Sequence, residues 1–399
     1  MNEDSSHLQS FIKSAFPQII KRINAPSPVG LSIMSKLYDM MIKARHSYSI
    51  NLKNMKESEL TLMETSEPSN IASDIPPEII SHIKSVKKYH KTFTFLHNGK
   101  TCNVHFYYPI YPNDPISKAK AHNFFRQAVY KIYLWLYISD HFANKSCSRT
   151  LNLKFYFTNL KKRLPNRTHA PLDTIHVNTA FTYGCTPVNE INLFRKEEWF
   201  KVFIHETFHS LGFDFCNSNF AAVDQMLGTT FSVKTDFKIY ETYCETWAET
   251  MYFLFLSFFT TNSKNAALDK FGKILRLETC YSMFQCAKVL GHSSLSYSRV
   301  IDSSKSAPKY SELTPVFSYY VVKSIVLFSW NEFIQWCHAN NANIFQFRNS
   351  QKSAVNFIDL IRRLSRNAGY SECISYMEKA GGVQDDFIRT NMRMTMYEY

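Results

Sequence analysis

Residues 199–213 read WFKVFIHETFHSLGF. Phe200, Phe203, Ile204 and Leu211 recur at helical spacing, so the stretch predicts a helix with a buried face. His205 and His209 lie four apart in it, a separation of about 40° around an α-helix. Both imidazoles then point the same way and can share one metal ion. Glu206, beside the first histidine, is placed to take a proton from a metal-activated water and pass it to a leaving group. With 14 His and 19 Glu in 399 residues, this three-letter arrangement is expected by chance about 0.02 times per chain. The competing reading is a structural histidine pair satisfied inside a core.

A metal site of this kind needs a third protein ligand and an open fourth position. Gly212 stands where a longer metal-binding pattern, H-E-x-x-H-x-x-G-x-x-H, has glycine, but its third-ligand position is Phe215, which cannot coordinate. Asp214 is one residue short of it and suits a turn. A second source is Tyr240–Met251, YETYCETWAETM, which carries Glu241, Glu245 and Glu249 at i, i+4 and i+8. Three carboxylates on one face of a helix that continues as FLFLSFF are costly unless something positive compensates them, or unless they form a solvated stripe at its start.

His205, Glu206 and His209, with a later helix bearing E-x-x-A-E, resemble the gluzincin branch of the zincin metallopeptidases. The resemblance implies one zinc ion per chain held by His205, His209 and Glu245. It implies Glu249 as a partner of an imidazole, His205, from behind the ligand shell. Glu241 has the same spacing to Glu245 and is the alternative ligand one turn earlier. The similarity covers about residues 174–255, and the 35 residues between His209 and Glu245 imply an insertion between the two site helices. HETFHSLGFDF, ETYCETWAE and TPVFSYYVVKS together also resemble uncharacterised metallopeptidase-like proteins of large nucleocytoplasmic DNA viruses, which implies host cytoplasm or virion as the location. Tyr319 and Tyr320, in VFSYYVVKS, are candidate donors to a transition-state oxyanion, against a reading as core aromatics.

The rest of the chain sets the frame. Helical spacing over residues 8–50 is broken at Pro26–Pro28, and residues 57–85 collect Ser, Glu and Pro as a linker. KTFTFLH and KTCNVHFYY around Asn98-Gly99 predict a hairpin over 91–108. Residues 117–140 predict a helix packed on it, 151–157 a strand, and 174–183 a second strand able to pair with extended substrate. Everything after Leu193 reads as mainly helical. The fold expected is α+β and zincin-like, with a small N-terminal-side sheet packed on the motif helix and a helical C-terminal half. The segments are 1–56, 57–85, a catalytic core over 86–260, and a helical 261–399 that closes the cleft.

The net charge is +13, and the basic runs at 84–91 and 161–167 are compatible with nucleic acid or with solvated surface. The start lacks a basic region followed by an apolar run, and the most apolar stretch, 251–259, is shorter than the ~20 residues of a membrane span. Nine scattered cysteines without a CxxC pair read as reduced thiols of a soluble intracellular protein. The expectation is zinc-dependent hydrolysis of a protein or peptide. The alternative is a non-catalytic zincin-like structural, virion or nucleic-acid-associated protein with structural zinc.

Overall fold

The computed structural model describes residues 2–65, 72–216, 218, 226–302, 309–380 and 384–398. The chain is α+β and divides into two compact units, each assembled from separated stretches. One comprises Lys36–Lys161 and Asn178–Phe213, the other Met1–Ser35, Lys162–Val177 and Asp214–Tyr399.

The first of these holds a mixed sheet of β1 (Lys56–Glu57), β2 (Thr61–Met63), β3 (Lys88–His97), β4 (Lys100–Pro109), β5 (Thr150–Thr158), β6 (Ala180–Thr182) and β7 (Val188–Arg195). The strand order is β1-β3-β4-β5-β7-β6, with β2 also paired to β3. β3 and β4 form the expected hairpin, and Asn98 and Gly99 turn it at φ 48° and 77°. β5 is parallel to both β4 and β7, and parallel neighbours need a crossover, supplied between β4 and β5 by the helix Lys118–Asp140. Period-2 alternation puts Val104, Phe106, Leu153, Phe155, Ile191 and Leu193 in the core. Phe106 stacks on Phe125 of that helix at 5.0 Å. The other face carries a polar ladder. Thr94 Oγ1 donates to Asn103 Oδ1, Asn103 Nδ2 to Asn152 Oδ1, and Lys154 Nζ to Glu190 Oε2, all within 3.1 Å.

Three local expectations change. Residues 174–183 form a helical turn, Thr174–Val177, before the short strand β6. Hydrogen bonds from His176 N to Asp173 O and from Thr174 N to the Asp173 carboxylate close a turn that competes with extended backbone. β7 is an additional strand, masked in the sequence by Pro187 before it and the apolar motif helix after it. The stretch read as a linker over 57–85 contains β1, β2 and the helix Pro77–Ser85, whose Ile79 and Ile83 are buried. Its residues 66–71 lie outside the described residues. The expectation that all nine cysteines are reduced is also corrected, because Cys147 and Cys185 form a disulfide across a Cα separation of 4.9 Å. Sequence spacing carries no sign of it, since the two come from loops that only the sheet topology brings close.

The other unit is helical. Ile239–Phe259 and Lys264–His292 pack against each other and against Lys323–Phe328, which continues a π-helical stretch, Phe317–Val322. The chain end is tied down by hydrogen bonds from Thr395 Oγ1, Met396 N and Tyr397 N to buried Glu278. Among the described residues no helix is long and apolar enough to cross a membrane. The motif helix lies in the first of these units and the carboxylate helix in the other. Apolar periodicity marks that a helix face is covered and does not record which element covers it.

Candidate metal centre

The motif forms the helix Trp199–Ser210, and every one of its residues is buried. It rests on the apolar sheet face, where Phe155 of β5 meets Trp199 and Phe203 at 5.7 and 5.8 Å. Thr207, a variable position of the motif, sets its rotation. Its hydroxyl accepts from Trp135 Nε1 at 2.6 Å and donates to Ile204 O. The i, i+4 spacing brings His205 and His209 together on this helix, their Nε2 atoms 3.2 Å apart. Glu206 lies between them in sequence and is buried as they are.

The helix ends in a Schellman turn. Phe213 N donates to Phe208 O and Gly212 N to His209 O, Gly212 takes φ 71°, and the Phe208 and Phe213 rings meet at 5.2 Å. Gly212 therefore serves backbone geometry. A β-carbon there would stand 3.1 Å from Cys147 Sγ and 3.3 Å from Cys185 Cβ, so the disulfide buttresses this end of the motif. Ser148 reinforces it by donating to Ser210 O at 2.7 Å. Neither cysteine stood out in the sequence.

The carboxylate helix Ile239–Phe259 places Glu241, Glu245 and Glu249 one turn apart, and all three are buried. Thr242, Thr246 and Thr250 form the neighbouring row, with Thr242 Oγ1 donating to Ser318 O and Thr250 Oγ1 accepting from Trp330 Nε1. This row fixes the helix, and so the direction of the carboxylates beside it. Glu249 Oε1 is met by Lys323 Nζ at 2.7 Å. Lys323 was not picked out in the sequence, although it lies in the same VVKS stretch as the tyrosines. Asp214 has the thiol of Cys244 3.6 Å from its Oδ2, which places a soft donor directly before Glu245. Phe215 is core, 4.2 Å ring to ring from Phe347. The insertion between the helices includes residues 217 and 219–225, outside the described residues.

Tyr319 and Tyr320 sit in the π-helical stretch within a cluster with Leu172, Val316 and Met392. The Tyr320 hydroxyl donates to Met392 O at 2.6 Å. The basic runs are largely matched. Lys87 pairs with Glu64, Lys91 with Glu57 and Lys161 with Glu197, while Lys88 Nζ donates to Ile83 O and Val86 O. No family model, no curated protein and no solved structure matches this chain.

Proposed function

We propose that the chain is a zinc-dependent peptidase of zincin-like build, with His205, His209 and Glu245 as metal ligands and Glu206 as general base. The observation that carries this reading is the histidine pair. Two nitrogens at about 2.05 Å from one zinc ion in tetrahedral array stand about 3.3 Å apart, and the two Nε2 atoms are 3.2 Å apart. The buried row Glu241, Glu245 and Glu249 supports an acidic third ligand, with Glu241 as the alternative to Glu245.

When bound, such an ion acts as a Lewis acid on a carbonyl oxygen and makes water acidic near neutral pH. Glu206 would accept a proton from the attacking water and deliver it to the leaving amine nitrogen, so base and acid are the same carboxyl. Tyr319 and Tyr320 are the candidate oxyanion donors, and the hydroxyl of Tyr320 also donates to Met392 O. The edge strand β6, antiparallel to β7, is the proposed place for an extended substrate to add as a further strand.

The burial of His205, Glu206 and His209 favours a second reading, a structural zinc without hydrolysis. Glu206→Gln separates the two. The peptidase reading expects metal content unchanged and cleavage of an unstructured protein lowered at least a hundredfold. Equal cleavage by wild type and variant would refute the assigned base, and metal binding without any cleavage would establish the second reading.

A further inference from the structure

The unit that carries the sheet holds a cavity of about 360 Å³, and all of its lining falls within Lys36–Lys161. That volume lies in the range of small-molecule pockets. The lining comes from the end of the helix Pro28–Asn51 and the turn after it, from β1 and β3, and from the helix Lys118–Asp140. Its body is apolar and aromatic. Tyr48 and Tyr130 meet edge to face at 4.9 Å, and Met55, Phe93 and Val129 belong to the same wall. Tyr48 also packs on Tyr133 at 5.3 Å, whose hydroxyl is tied to Ser47 and Asn51, so the wall is held in place.

The polar part of the lining is unbalanced in charge. Glu57 is its one carboxylate among the described residues, and it lies between two cations. Arg126 Nη2 is 2.7 Å from Oε1 and Lys91 Nζ is 3.1 Å from Oε2. Desolvation pushes the Glu57 carboxyl up, yet the hydrogen bonds and charges of Lys91 and Arg126 outweigh it and hold the group below its ordinary value. Glu57 is therefore ionised at neutral pH, and one anion between two cations leaves a positive excess. Desolvation raises the phenols of Tyr48 and Tyr130, so neither adds a negative charge. The bond to Glu57 engages one nitrogen of Arg126, whereas a guanidinium carries five N–H donors. The Arg126 side chain is 52% exposed, which leaves further donors within reach of a ligand.

We infer that this cavity is a binding site for a small aromatic carboxylate. The ring system packs against Tyr48, Tyr130 and Met55, and the carboxylate accepts from Arg126 beside the Gln127 amide. An ammonium in the same place would meet Arg126 and Lys91, with Glu57 already shared between them. A neutral arene gains the wall but no charge-assisted hydrogen bond.

The probe is 2-naphthoate, with 2-naphthylmethylammonium as a cation of similar shape, followed at pH 7 by methyl ¹³C–¹H spectra of the full chain labelled at methionine. Of the thirteen methionines, Met55 is partly exposed, so Met55→Leu assigns its signal without opening a core. The expected result is a saturable ring-current shift of the Met55 methyl with half-saturation near 1 mM or below, and a response to the ammonium at least tenfold weaker. Arg126→Met should bind naphthoate about fivefold more weakly. No saturable Met55 shift up to about 10 mM, or an equal response to the ammonium, would overturn the inference. The comparison of anion with cation uses the wild-type chain, so it does not depend on Arg126→Met folding.

Discussion

Lys323 Nζ lies 2.7 Å from Glu249 Oε1, and both side chains are 1% exposed. The last carboxylate of the row thus has its compensating cation within its own unit, supplied by the segment that follows the π-helical stretch. Glu241 and Glu245 are the other two carboxylates of that row, two turns and one turn earlier.

A buried ion pair is costly to break from one side. Lys323→Met leaves Glu249 buried without its cation and should destabilise the chain by about 3–5 kcal/mol, with most of that regained in Lys323→Met/Glu249→Leu. Urea unfolding of the three proteins measures it. A neutral single substitution would show that the pair does not hold the carboxylate helix in place.

The disulfide beneath the motif makes a second test. Cys147 and Cys185 close a loop of sequence separation 38, and opening it should cost about 2–4 kcal/mol. Thermal melting with and without reductant should show a transition lowered by reduction in wild type and insensitive to it in Cys147→Ala/Cys185→Ala. Gly212→Ala forces a β-carbon onto φ 71° and against Cys147 Sγ, and should cost about 1–2 kcal/mol.

Glu278 gives a pH dependence whose sign can be worked out. Burial raises its carboxyl to about 7, against hydrogen bonds from Thr395, Met396 and Tyr397 that lower it. The folded chain therefore holds this proton where the unfolded chain has lost it, and its contribution to stability falls as pH rises from 4.5 to 7, by at most about 3 kcal/mol. His90 works in the opposite direction. Desolvation, with the charge of His105, lowers it to about 4, so stability linked to it is lost as pH falls from 6.5 towards 4. The Glu278 effect is read as the difference between wild type and Glu278→Gln, and parallel pH profiles of the two would contradict it.

What the sequence made legible was local. The β3–β4 turn was carried by Asn98-Gly99, whose φ requirement is a property of two residues, and the His205–His209 geometry by the helical repeat alone. The Glu241, Glu245 and Glu249 row was visible for the same reason. The cation on Glu249 was not, since Lys323 is 74 residues away and nothing in its neighbourhood encodes the pairing. The Cys147–Cys185 bridge and the separation of the two site helices into different units depend likewise on topology. β7 and the Thr174–Val177 turn were lost to competition, one beside a longer apolar run and the other to hydrogen bonds around Asp173.

The central claim is a zinc ion shared by the motif histidines and a carboxylate of the second helix, and elemental mass spectrometry of the purified chain tests it most directly. The account predicts about one zinc per chain in wild type, lost in His205→Ala and in Glu245→Ala. Loss in Glu241→Ala with retention in Glu245→Ala would move the ligand one turn earlier. Wild type without zinc, after reconstitution as well, would contradict the account.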